Sequence, residues 1–187
     1  MKITRISVYK VDLPFDNGTY KLSGGRTWTS IDSTIVRIDT DAGITGWGET
    51  CPFGPNYLEA FALGARAGIQ RLAPDLLGAD PSQPTVVYAQ MDSCKLGHPY
   101  VKHAIDMACW DILGKKSGLP LYRLFGGLRT EQPRTSGWIP PETGDWMDEL
   151  LARHRGNSTR MFSTKASGIA DRDITFLNDL TELMQPG

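Results

Sequence analysis

Two carboxylates, Asp106 and Asp111, first suggest acid–base chemistry because they lie close together in one segment. Both belong to a run whose apolar residues recur with the spacing of a helix. Their five-residue separation places them about 140° apart around that helix. They therefore do not form a catalytic pair, and Asp111 is instead spaced to pair with Lys115 one turn later.

The histidines and cysteines form no better catalytic set. His98 and His103 lie around a helix start and do not share a face, so we expect His98 to cap or pack that helix. The three cysteines, Cys51, Cys94 and Cys109, are an odd number without the spacing of a zinc site or a disulfide framework. No basic partner for Cys51 is identifiable by spacing, which argues against nucleophilic catalysis.

The overall composition excludes several classes of protein. With a net charge of −1, the chain lacks the basic surface of a nucleic-acid-binding protein. No apolar run approaches the roughly 18 residues of a membrane helix, so no membrane association is expected. The start of the chain lacks the apolar core of a signal peptide, and we expect a cytoplasmic protein.

The first 125 residues are predicted to form an α+β domain. Strands over residues 3–13, 33–40 and 44–50 predict a three-stranded antiparallel meander, and residues 14–31 are predicted to be irregular. Glu49, at the end of the third strand, is interpreted as a structural hydrogen-bond partner. Helices follow, with apolar faces that repeat every 3.6 residues. The inward face of the first helix is predicted to consist of Leu58, Phe61, Ala62, Ala65, Ile69, Leu72 and Leu76. A second helix is predicted over about 84–94. The third is predicted to end at Gly118 and Pro120, and its inward face consists of Val101, Ala104, Ile105, Ala108, Ile112 and Leu113.

Residues 126–187 show a different order of predicted secondary structure. Strands at 135–139 and 160–166 alternate with helices at 145–154 and 171–184, the second with Ile174, Leu177, Leu180 and Met184 on one face. This alternation is typical of parallel βα units. The segment is far shorter than the ~200–250 residues of a complete (β/α)₈ barrel. We therefore expect the first two βα units of an incomplete barrel.

Several segments together resemble the mandelate racemase and muconate-lactonizing branch of the enolase superfamily. The most specific is the helix of residues 104–115 followed by the Leu-Phe-Gly-Gly of residues 124–127, and the Gly-Trp-Gly-Glu of residues 46–49 is a good second. Within the branch, Glu49-Thr50-Cys51-Pro52 together with Gly97-His98-Pro99-Tyr100 is similar to enzymes that act on hydroxyproline or proline betaine. The resemblance implies a capping domain followed by a barrel.

The resemblance also implies a reaction and a base. Such enzymes remove the proton alpha to a carboxylate while Mg²⁺ stabilises the enediolate. The base is the second lysine of a Lys-x-Lys pair on the second barrel strand, which makes Lys165 the candidate here. Ser163 replaces the first lysine, so the metal's charge would have to lower the pKa of Lys165 instead. The metal ligands and the opposite-face base of the family are expected beyond Gly187.

In this family, loops that follow the first and third strands close over the substrate. Tyr20, Trp28 and Phe53 lie in these loops and Tyr57 follows them. Aromatic faces attract ammonium groups, which suits a proline-like substrate. The same rings could serve only to exclude water.

Two functions remain open from the sequence. In the first, the parent enzyme is a Mg²⁺-dependent racemase, epimerase or dehydratase of a small carboxylate, and a homo-oligomer as family members usually are. In the second, the 187-residue chain is an inactive fragment that acts at most as a binding or assembly module, because its two βα units would leave apolar surface exposed.

Overall fold

A computed structural model describes residues 1–16, 18–22, 26–54, 57–139, 152 and 161–183. The chain divides into two compact units, Met1–Leu128 and Arg129–Gly187. Among the described residues, no helix has the length and apolarity needed to cross a bilayer.

A three-stranded antiparallel sheet forms one layer of the first unit. In chain order the strands of this unit are β1 (Ile3–Pro14), β2 (Tyr20–Leu22), β3 (Arg26–Trp28), β4 (Ser30–Thr40) and β5 (Thr45–Thr50). The sheet has the order β1-β4-β5, so the predicted meander is confirmed. Val36 and Ile38 on the central strand are completely buried.

The segment between β1 and β4 is more regular than the sequence predicted. β2 and β3 pair antiparallel, with Tyr20 opposite Trp28. The prediction of an irregular segment over residues 14–31 was therefore wrong. Strands of three residues are too short to show an alternating pattern, which explains why sequence periodicity did not reveal them.

Helices α1 (Ala62–Leu76), α2 (Pro84–Cys94) and α3 (Pro99–Ser117) form the second layer, and a short helix α4 (Leu121–Leu124) follows. α2 matches its prediction, and α3 ends at Gly118, whose left-handed backbone (φ 64°) and N–H close the helix as predicted. Leu58 and Phe61 were predicted to lie on the inward face of α1, but both precede the helix and are 51% and 45% exposed. The buried core joins β1 and β4 to all three long helices through Ile3, Val36, Ile38, Ile69, Leu72, Leu76, Val87, Met91, Val101, Ala104, Ile105, Ala108, Cys109 and Ile112.

The two glycines of β5 explain how closely the sheet and α3 pack. A Cβ on Gly48 would lie 1.9 Å from the carbonyl oxygen of Ala104, and a Cβ on Gly46 would lie 2.2 Å from that of Ala108. Such distances leave no room for any side chain. The Gly-Trp-Gly pattern is thus a packing requirement.

Side chains of α3 also bond directly to β5. The Asp111 carboxylate accepts a hydrogen bond of 2.9 Å from the Trp47 backbone N–H. Lys115 donates to the Thr45 carbonyl at 2.8 Å and to Asp111 at 2.6 Å. The predicted Asp111–Lys115 pair exists, and it also fixes α3 to the strand.

In the second unit, β6 (Ser136–Trp138) and β7 (Met161–Ser163) pair in parallel, and α5 (Ala170–Leu183) follows β7. Of the helix predicted at 145–154 only residue 152 is described, and Met184 lies outside the described residues. On α5, Phe176 and Leu180 are buried, while Ile174 and Leu177 are 57% and 51% exposed. The predicted inward face was therefore right for Leu180 and wrong for Ile174 and Leu177, because Phe176 occupies the inward position one turn before Leu180.

Candidate functional site

A cluster of five aromatic side chains, called the cap cluster here, lies at one end of the first unit. Phe53 is its centre, with ring-centroid distances of 4.9 Å to Trp28 and 5.5 Å to both Tyr20 and Tyr57. All three contacts are edge-to-face, a preferred geometry for aromatic pairs. The structure thus brings together the four residues that the sequence singled out as a possible substrate-binding group.

The fifth member of the cap cluster, Phe15, was missed by the sequence analysis. Its ring stacks on Tyr20 at 5.4 Å, and its backbone N–H donates to the Thr29 carbonyl at 3.1 Å. The short β2–β3 hairpin sets Tyr20 directly across from Trp28. Phe15 joins the cluster through this hairpin, which had no sequence signature.

A cleft of about 300 Å³ opens beside the cap cluster. Trp28, Phe53 and Phe61 supply its aromatic wall, and Asp12 and Asp32 supply carboxylates. The two carboxylates occupy paired positions of β1 and β4. Aromatic faces beside negative charge favour a cationic group over an anionic one.

Both carboxylates of the cleft have cationic partners. Arg66 on α1 donates two parallel hydrogen bonds to Asp32, at 2.7 and 2.8 Å, and a third to Thr34 at 3.2 Å. The Arg66 hydrogen bonds hold the pKa of Asp32 below its usual range. The Lys10 ammonium nitrogen lies 3.1 Å from a carboxylate oxygen of Asp12. The cleft is therefore close to neutral, and its aromatic wall is its distinctive feature.

Glu49 and Cys51 have structural rather than catalytic surroundings. The buried Ser33 hydroxyl donates to Glu49 at 2.5 Å, as expected of a hydrogen-bond partner. Desolvation raises the pKa of the Cys51 thiol, and the Glu49 and Asp32 charges act in the same direction. A protonated thiol is a poor nucleophile.

Lys165, the candidate base, follows the end of β7. The strand stops at Ser163 rather than continuing to 166 as predicted, and Lys165 is exposed two residues later. β7 is extended by one further hydrogen bond, in which the Ile139 N–H donates to the Ser163 carbonyl at 3.0 Å. Lys165 therefore lies just past the carboxyl end of a parallel strand, where barrel enzymes place catalytic groups.

His98, Asp106 and Asp111 all belong to the region of α3. His98 precedes α3 with a left-handed backbone (φ 52°) and makes no side-chain cap, but its ring contacts Tyr100 at 5.8 Å. Burial raises the pKa of Asp106, while Asp111 is bonded to β5. His98 thus packs against Tyr100 and does not cap α3, and Asp111 has the structural role predicted for it.

The described part of the chain contains no set of ligands for a magnesium ion. Within those residues, no three His, Cys, Asp or Glu side chains lie close enough together to hold a metal ion. The described residues thus offer no ligand set for the metal implied by the sequence resemblance.

Comparison with known proteins supplies a family. Residues 20–126 match the model of the mandelate racemase / muconate lactonizing enzyme N-terminal domain. A cis-3-hydroxy-L-proline dehydratase of Roseibium aggregatum is 42% identical over 174 residues, which cover 93% of this chain and 47% of the relative. An N-succinyl-L-Arg/Lys racemase of Bacillus cereus is 36% identical over 132 residues, covering 71% of this chain and 35% of the relative.

Solved structures agree with the sequence comparison. A mandelate racemase/muconate lactonizing enzyme from Roseovarius nubinhibens superimposes with a TM-score of 0.91 at 38% identity, over 100% of this chain and 50% of the other. An enolase superfamily member from the same organism, complexed with magnesium, gives a TM-score of 0.84 at 44% identity, over 99% of this chain and 50% of the other. The chain spans about half the length of the relatives it matches.

Proposed function

This chain belongs to the mandelate racemase / muconate lactonizing enzyme family of the enolase superfamily, and we propose that the whole protein removes the proton alpha to the carboxylate of a proline-type substrate. Dehydration of a hydroxyproline is the favoured outcome, since the Roseibium relative is a cis-3-hydroxy-L-proline dehydratase. Epimerisation of a proline betaine would begin with the same proton removal. The observation that carries the substrate class is the cap cluster, in which three of the predicted rings converge on the fourth, Phe53.

The cap cluster suits the ring nitrogen of such a substrate. A proline-type substrate carries a secondary or quaternary ammonium group next to its carboxylate. Aromatic faces attract such a cation by about 0.5–2 kcal/mol, and more strongly where water is excluded. Two rings of the cluster, Trp28 and Phe53, also line the cleft beside it. We therefore assign recognition of the ammonium group to this end of the first unit.

Lys165 is proposed as the base. Its neutral amine would accept the alpha proton, and the electron pair of the broken C–H bond would move toward the substrate carboxylate. Ser163 stands where the family pattern has a first lysine, so positive charge beside Lys165 would have to come from elsewhere in the whole enzyme.

Mg²⁺ is the expected metal, since one structural neighbour was solved in complex with magnesium. Bound near the substrate carboxylate, it would stabilise the negative charge that develops when the proton leaves. Because the described residues hold no ligand set, we propose that ligands come from parts of the whole protein outside them. We further propose that β6, β7 and α5 belong to a (β/α) barrel, for which their parallel pairing is the support.

The test of the base compares Lys165→Ala with Lys2→Ala in the whole protein, because Lys2 is an exposed lysine of the first unit. Removing a general base costs about 100- to 10,000-fold in rate. We expect Lys165→Ala to lose turnover and alpha-proton exchange by that factor, and Lys2→Ala to match the wild type. Turnover retained within threefold by Lys165→Ala would remove Lys165 from the mechanism.

A second candidate function is a non-catalytic binding or assembly module. It is favoured by the exposure of Ile174 and Leu177 on α5, whose apolar surface would stabilise association with another surface. One assay of the purified 187-residue chain distinguishes the two candidate functions. The module predicts association without turnover, whereas Mg²⁺-dependent turnover of a carboxylate by that chain would exclude it.

A further inference from the structure

The turn between β7 and α5 is held closed by one carboxylate, that of Asp173. One of its oxygens accepts hydrogen bonds from the Ser167 backbone N–H at 2.8 Å and the Ser167 hydroxyl at 2.7 Å. The other oxygen accepts from the Gly168 N–H at 3.1 Å. Three donors from two consecutive residues thus converge on a single side chain.

Two further hydrogen bonds stabilise the same turn. The Ile169 N–H donates to the Ser167 hydroxyl at 3.2 Å, and the Asp173 N–H donates to the Ile169 carbonyl at 3.0 Å. Gly168 has a left-handed backbone (φ 82°), which favours glycine there. The hydrogen bonds from Ser167 also hold the pKa of Asp173 below its usual range, so the carboxylate is charged at neutral pH. We call this set of bonds the Asp173 clasp.

The clasp begins two residues after Lys165. Lys165 is exposed, and among the described residues its side chain has no hydrogen bond or ion pair of its own. β7 ends at Ser163, so ladder hydrogen bonds do not fix the backbone of Lys165 directly. Lys165 therefore lies between the end of β7 on one side and the Asp173 clasp on the other.

We propose that Asp173 is a positioning residue that holds the base Lys165 in place by closing the turn after β7. This inference rests on the proposed function of Lys165. A catalytic group displaced by about 1 Å can lose about 100-fold in rate. Asp173 would therefore act on the proton-transfer step without touching the substrate.

An ordinary helix-terminal role is the alternative, since acidic residues near a helix N-terminus stabilise the helix dipole. Asp171 lies in the same first turn of α5 and provides a matched control. Among the described residues, none donates a hydrogen bond to its carboxylate. Asp171→Ala removes the same charge near the helix start and leaves the clasp intact.

The experiment measures kcat, KM and the isotope effect of alpha-deuterated substrate for Asp173→Ala, Asp173→Asn and Asp171→Ala in the whole protein. We expect Asp173→Ala to lower kcat about 10- to 100-fold, with KM within about threefold and a larger isotope effect, because proton transfer becomes slower. Asp173→Asn keeps one acceptor oxygen and should recover part of kcat. Asp171→Ala should match the wild type.

Two results would overturn the positioning role. One is a kcat for Asp173→Ala equal to that of Asp171→Ala. The other is a fall in kcat with an unchanged isotope effect and a proportional loss of folded protein, which a structural role alone would produce. Failure of the proposed function is a separate result, namely an active Lys165→Ala variant.

Discussion

Gly48→Ala is expected to be among the most damaging single-methyl changes in the first unit. The added Cβ would lie 1.9 Å from the Ala104 carbonyl oxygen, 2.9 Å from its carbon and 2.9 Å from the Ala108 nitrogen. All three atoms belong to the backbone of α3, so no side chain can rotate away. The strand and the helix must move apart instead.

The expected loss of folding stability follows from this separation of the strand and the helix. Overpacking of a core costs about 1–3 kcal/mol and occasionally more. A shift of over 1 Å would also strain the hydrogen bonds from Trp47 to Asp111 and from Lys115 to Thr45, now 2.9 and 2.8 Å long. At about 1 kcal/mol for each partly exposed bond, the total loss is about 3–5 kcal/mol. That is a large part of the 5–15 kcal/mol typical of a folded protein.

Urea and thermal unfolding of the protein provide the assay, and Gly64→Ala is the control. The three atoms nearest to a Cβ on Gly64 would all belong to the ring of Phe61, at 3.0–3.4 Å, and this residue is 45% exposed, so the ring can move. Gly64→Ala should stay within about 1 kcal/mol of the wild type, since alanine also favours the helix. Gly48→Ala should lower the melting temperature by about 10–20 °C. A Gly48→Ala protein as stable as Gly64→Ala would refute the packing argument.

Three further predictions concern charge, thiol chemistry and the cap cluster. Because the pKa of Asp32 is lowered in the folded state, its bond to Arg66 stabilises the fold above pH ~4 and is lost as pH falls below that value. The stability gap between wild type and Asp32→Asn should therefore be about 1 kcal/mol at pH 7, limited by solvent screening, and should narrow progressively as pH falls below about 4; a pH-independent gap would contradict this. Burial shields Cys109 from solvent and raises the pKa of its thiol to about 12, so at pH 8 a thiol reagent should label the exposed Cys94, label Cys51 more slowly because the pKa of that thiol is also raised, and leave Cys109 unmodified until urea is added. Phe53→Ala in the whole protein should raise KM for a proline-type substrate by about 10-fold with a smaller change in kcat, as expected from loss of about 1–2 kcal/mol of cation–π binding; an unchanged KM would show that the cluster only excludes water.

Periodic elements of this chain could be predicted well from sequence, because burial imposes a repeat on the residues themselves. The α3 face with Val101, Ala104, Ile105, Ala108 and Ile112 is buried as its spacing indicated. On α5 the same method failed, since the helix carries apolar residues on two faces. The pattern cannot tell which face the rest of the unit covers.

The candidate site was less accessible to sequence reasoning, because its contacts join distant parts of the chain. Tyr20, Trp28, Phe53 and Tyr57 could be named as loop aromatics, but their convergence depends on the β2–β3 hairpin. The Arg66–Asp32 pair joins residues 34 positions apart, and no sequence spacing points to it. The Asp173 clasp had a usable signal, a Ser-Gly turn before a helix with acidic residues in its first turn.

Proton removal from a proline-type carboxylate by the whole protein can be tested by incubating it with cis-3-hydroxy-L-proline and Mg²⁺ in D₂O and following the alpha-proton signal by NMR. We expect this signal to disappear through exchange or dehydration, and to persist with the Lys165→Ala variant. An alpha proton that survives with wild-type enzyme, for cis-3-hydroxy-L-proline and for proline betaine alike, would refute the proposed function.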